Sequence, residues 1–160
     1  MSEYFTNLNQ DEKTALSDAL ALITVLIAGA DGSFEQEELE WAEKVTHIRS
    51  YKLKGELKSY YESVEDQLME KIQYFIDQMP SNVGERSAQI SERLSDLNPI
   101  LAKLEPAVGS KLYQGFLSFA DHVAKASGGM MGFFSVNAEE AKWIGLPMIQ
   151  PIVFEGDEEE

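Results

Sequence analysis

A chain of 160 residues with 44% hydrophobic content has the size of one ordinary domain and can bury a sizeable core without a covalent staple. It contains no cysteine, which excludes disulfides, zinc–thiolate centres and thiol nucleophiles and fits a reducing, cytoplasmic setting. Thirteen basic residues against 28 acidic ones leave a net charge of −15 with no Lys/Arg cluster. That balance disfavours nucleic acid and anionic membranes as partners and leaves cations and basic protein surfaces.

Met1 to Asn9 is polar and lacks a basic region followed by an apolar core, so it reads as an N-terminal extension and not as a signal peptide. Asn9 followed by Glu12 is a capping-box pattern, and the helix it opens is expected to run to about Ala30. Leu16, Ala19, Leu20, Ile23, Leu26, Ile27 and Ala30 recur at helical spacing along it. The uncharged run Ala19 to Ala30 is far shorter than the roughly 20 residues that span a membrane, so it predicts a buried helix and no membrane insertion. Asp31-Gly32-Ser33 ends that helix, and a second is expected from about Gln36 to Ser50 with Leu39, Ala42, Val45 and Ile48 inward.

After Gly55 the apolar stripe from Leu57 to Met79 predicts one long amphipathic helix, stopped by Pro80. Gly84 to about Leu97 is more polar and is expected on the surface. Asn98-Pro99 looks like an N-cap with proline in the first helical position, for a short helix Ile100 to Leu104. Pro106 opens a long helix to about Ala126. An apolar loop follows, Gly128 to Phe134, and then Asn137 with Glu140, a second capping box for a helix expected to reach Leu146. Pro147 and Pro151 make the remainder extended, and Glu155 to Glu160 is a like-charge run expected to be disordered. Only Ile149 to Phe154 is a candidate strand. The prediction is an all-α, compact multi-helix domain over residues 10–152, between an extension of 1–9 and an acidic tail of 153–160.

The stretches Ala19–Val45 and Phe119–Ile144 resemble each other. Each has an alanine-rich apolar helix, a glycine-bearing loop and a capped helix beginning on paired glutamates, Glu37-Glu38 in one and Glu139-Glu140 in the other. Two pseudo-symmetric helical halves are the simplest expectation, with a chance likeness of two helical hairpins as the alternative.

Asp31 to Glu38 is the most specific stretch. Its acid–Gly–x–apolar run ending in Glu imitates the second half of an EF-hand loop, but the first two ligand positions would fall on Ile27 and Gly29, which offer no side-chain oxygen. An EF-hand is excluded. What remains is a glycine turn with Asp31, Glu35, Glu37 and Glu38 close in sequence, a candidate weak site for a hard divalent cation such as calcium or magnesium. The competing expectation is that these acids only close the turn and favour the helix dipole.

Ala28-Gly29-Ala30-Asp31-Gly32, five residues, then Glu38 resembles the signature of the TerB-like tellurite-resistance family. Val123 to Gly128, followed by Glu140, is similar to that family's second copy of the motif. The resemblance covers most of residues 10–150. It implies an all-helical fold of two pseudo-symmetric halves, an acidic surface that binds divalent metal, and a role in stress-response assemblies or as a domain attached to other proteins. Asp31, Glu38 and Glu140 match the motif, whereas Ser127 stands where the family has aspartate.

Glu43 and His47, four apart, are expected to form a surface ion pair. No Glu-x-x-His, Gly-x-Ser-x-Gly, phosphate-binding loop or dinucleotide fingerprint occurs, so nothing signals an enzyme. Met130, Met131, Phe133 and Phe134, set among glycines, form an adaptable apolar surface for a protein partner if exposed, or fold back between the halves if not. The functional expectation is a non-catalytic interaction module with a weak divalent-cation site at Asp31, Glu35, Glu38 and Glu140. The alternatives are an assembly protein acting through the Met/Phe loop and a small-molecule-binding helical domain.

Overall fold

In the computed structural model, which describes residues 5–126 and 138–154, the chain is built around α1 (Gln10–Ala28). The Asn9 side chain accepts from the Glu12 N–H (2.8 Å), and the Glu12 carboxylate accepts from the Asn9 N–H (2.9 Å), completing the expected capping box. Ten consecutive residues, Ala19 to Ala28, are buried on every face. A helix apolar all round has to sit inside other helices, and α1 does. It is covered by α2 (Gln36–Lys52), α3 (Gly55–Glu65), α4 (Leu68–Gln78), α5 (Val83–Ser95), α6 (Leu97–Lys103) and α7 (Pro106–Ala126). No strand occurs among the described residues, so the fold is all-α there. No described helix is long and apolar enough to cross a membrane.

Three polar groups on or against α1 are paired. Tyr60, fully buried, donates its hydroxyl to the Leu16 carbonyl (2.8 Å), and Thr24 bonds back to the Leu20 carbonyl (2.8 Å). Asp18, also buried, meets Lys71 at 2.9 Å and Arg93 at 3.8 Å. A buried acid without such partners costs several kcal/mol, of the order of 3–5. Phe5 and Leu8, ahead of α1, are core residues, with Phe5 against Tyr60.

The structure departs from the sequence expectations at four places. The long helix expected over Glu56–Met79 is two, because the chain turns at Asp66-Gln67. The turn lets α3 pack on α2 while α4 packs on α1. Val64 and Leu68 keep helical spacing across it, so the apolar period does not reveal the break. α5 is not merely a surface helix. Arg86, Ile90 and Leu94, four apart, are buried on one face that packs on α1. Asn98 caps nothing. α6 begins before it, and its side chain bonds instead to the main chain of Met148 and Gln150. Finally, the helix expected from Asn137 to Leu146 is a single turn, α8 (Ala138–Ala141), followed by turns. Gly145 and Pro147, poor helix formers, flank its missing end. The Met130, Met131, Phe133 and Phe134 surface and the run Glu155 to Glu160 lie outside the described residues.

Candidate functional site

The corner between α1 and α2 is assembled from the turn outward. Gly32 has φ of 95°, a left-handed conformation that glycine adopts freely. Asp31 folds over it, its Oδ1 accepting from the Ser33 N–H (3.1 Å) and the Ser33 hydroxyl (3.3 Å). Phe34 then lies across Gly29, and a Cβ on Gly29 would stand 2.6 Å from its ring and 2.9 Å from Arg86 Nη2. Arg86 closes the stack. Its guanidinium sits 4.8 Å from the Phe34 ring centre and donates to the carbonyls of Gly29 (2.8 Å) and Ser81 (3.3 Å). Arg86 lies in a polar stretch expected on the surface, although its four-residue spacing from Ile90 and Leu94 places it on the inward face.

This corner aims the first turn of α2. Glu35 caps the helix through its carbonyl, which accepts from the Glu38 N–H (3.1 Å) and the Leu39 N–H (3.3 Å), while its side chain makes no cap bond, and Glu37 is exposed. Glu38, in the third helical position, is only 2% exposed, and its Oε2 has no hydrogen-bond partner. Facing it, within hydrogen-bonding reach, is Glu140 of α8, 1% exposed. Two glutamates from distant parts of the chain therefore meet in the interior. Burial, the Glu140 carboxyl beside it, and Glu35 and Asp31 further out push the Glu38 carboxyl up to about 10. Glu35 is raised as well, by burial first and then by Asp31, Glu37 and Glu140.

A buried pair of carboxylates cannot hold two negative charges without compensation. The compensating species is either a proton, with the Glu38 O–H donating to Glu140, or a cation between them. The donor set fits a hard cation, since all of it is carboxylate oxygen. It is an incomplete shell, because no group of three or more His, Asp or Glu among the described residues is already drawn together around a metal position. Glu38 and Glu140 meet, Glu35 lies within their field, and Asp31 is committed to the turn. Of the two expectations for this stretch, turn closure describes Asp31. It does not describe Glu38, whose carboxyl is turned into the interior.

His47 does not pair with Glu43. Its Nδ1 lies 2.9 Å from Glu65 Oε2, and Glu43 instead lines an open cavity of about 710 Å³ together with Glu40, Lys44, His47, Glu65 and Asp66. Helical spacing made the Glu43 pairing possible, and the approach of α3 to α2 supplied a better-placed acid. Compared with family models, with curated proteins and with solved structures, the chain matches none.

Proposed function

We propose that this chain is a non-catalytic, cation-responsive interaction module of the TerB-like kind it resembles, with Glu38 and Glu140 as the protein ligands of a hard divalent cation. The reading rests on one observation, the meeting of these two buried acids, one of them carrying an oxygen without a partner. The ion would hold α8 to the first turn of α2, Glu35 would add negative charge from the rim, and water would complete the shell. Calcium or magnesium suits all-oxygen ligation, and two protein carboxylates in place of a full loop predict weak affinity, on the order of 10⁻⁴–10⁻³ M. Because Glu38 holds a proton without the ion, binding releases one, and affinity rises with pH.

Calorimetric titration with calcium and with magnesium tests this reading. Heat is expected in the wild-type chain and is lost in Glu38→Gln and in Glu140→Gln. Repeating the titration in buffers of different ionisation enthalpy should reveal proton release. An absence of heat at millimolar ion in the wild type would leave the pair as a shared proton alone and remove the proposal.

A further inference from the structure

From the acid pair the chain runs as a strap, residues 140–152, to a second anchorage on α6 and α7. Its first part is a relay of turns. The Glu140 carbonyl accepts from the N–H groups of Trp143 (2.9 Å) and Ile144 (3.2 Å), that of Trp143 from Leu146 (2.8 Å), and that of Leu146 from Ile149 (3.0 Å). Each turn begins on the residue that closes the one before, so a displacement of Glu140 is carried to Ile149. There the strap is clamped. Asn98 of α6 donates from Nδ2 to the Met148 carbonyl (2.9 Å) and accepts at Oδ1 from the Gln150 N–H (2.8 Å). Ser110 of α7 donates its hydroxyl to the Ile152 carbonyl (3.3 Å). Leu146 is fully buried, Ile149 is 1% exposed, and Ile152 packs against the core.

The forces on this strap differ along its length. Neutral hydrogen bonds and apolar burial favour seating at the far end. At the near end Glu140 is carried in against Glu38, and two buried carboxyls facing each other resist that approach. Leu146, midway, has φ of 43°, a left-handed backbone that a branched side chain adopts at a cost. A divalent cation between the two acids turns repulsion into attraction at the near end and leaves the other forces as they are. We propose, resting on the reading of Glu38 and Glu140 as cation ligands, that the strap is an ion-operated latch. With the ion bound, the whole strap is seated and the apolar ground beneath Ile149 and Ile152 is covered. Loss of the ion lowers the seated fraction, and the strap lifts from α6 and α7 as one piece, the Asn98 clamp opening with it. The ion thereby regulates which face of the protein is exposed.

Amide hydrogen exchange at the far end, with calcium as the only added divalent ion, tests the latch in the full chain. The Gln150 N–H exchanges when its bond to Asn98 opens. If that opening also frees the ion, calcium at about ten times its dissociation constant should slow Gln150 exchange about tenfold in the wild type. The same addition should leave Glu140→Gln unchanged. Linkage requires the reverse effect as well. Asn98→Ala, which lies outside the acid pair, should weaken calcium binding several-fold by lowering the seated fraction. Calcium that binds by calorimetry yet leaves Gln150 exchange unmoved, or binds Asn98→Ala as tightly as the wild type, overturns the latch and leaves the cation site standing. No calcium binding in the wild type overturns the site and the latch together.

Discussion

Glu38 reaches the buried pair on a helix of 17 residues, and Glu140 reaches it on one of four. The first corner is a closed construction. Asp31 folds the turn, Phe34 fills the space left by Gly29, Arg86 holds the α1 end, and α2 packs along α3 and α7. The second has a single helical turn, stabilised by the main-chain bonds of Trp143 and Ile144 to the Glu140 carbonyl and by the burial of Leu146 and Ile149 beyond it. Glu38 is thus presented by local structure, while Glu140 is presented by what it docks against. The pair itself is part of what holds the second corner.

The largest expected effect tests the pair. Glu38 carries a folded-state pKa raised above its unfolded value, so the protonated form is the stabilised one. Its contribution is complete below the ordinary glutamate range and is lost as pH rises toward about 10. The slope attributable to Glu38 approaches 1.4 kcal/mol per pH unit, roughly the value for one proton. Urea melts at successive pH values should show wild-type stability falling relative to Glu38→Gln between mildly acidic and alkaline pH, without added divalent ion. Parallel curves for the two proteins would mean that the carboxyls do not oppose each other.

Next in size is Gly29→Ala, which drives a methyl group into Phe34 and Arg86 and should cost about 1–3 kcal/mol in chemical denaturation, the usual range for overpacking. A neutral result would show that the first corner is loosely built and would erase the contrast. Glu140→Ala sharpens the contrast from the other side. Amide exchange at Leu146 and Ile149 should accelerate by about tenfold, equivalent to roughly 1.4 kcal/mol of local stability, while exchange in α2 stays unchanged. Equal acceleration in α2 would mean that the two corners are interdependent rather than ranked. The smallest effect belongs to Asp31→Ala, which removes the bonds to Ser33 and should cost about 0.5–1 kcal/mol by thermal melting, the net worth of an exposed turn hydrogen bond.

Much of the architecture was legible in local pattern. The capping box at Asn9, the central burial of Ala19 to Ala28, the turn at Asp31-Gly32 and the helix from Pro106 to Ala126 all follow from neighbours within one or two turns. The misreadings share a cause. Asn98 looked like a cap because Pro99 follows it, and nothing nearby in sequence announces Met148 or Gln150 as its partners. The interruption at Asp66-Gln67 was hidden because the apolar spacing continues through it. His47 was assigned to Glu43, its neighbour on the helix, when Glu65 arrives from another helix.

For the candidate site, both Glu38 and Glu140 could be selected from the likeness of their surroundings, as acids opening a helix after a glycine-bearing loop. That they face one another could not be read there. The amino-acid pattern determines which segments coil, which faces are apolar and where the chain turns, because those outcomes depend on contacts a few residues long. Which buried acid meets which, what Arg86 supports and what Asn98 grips were decided only in three dimensions. Each is a contact between distant segments, and its energy exists only after the central helix has drawn the others around it.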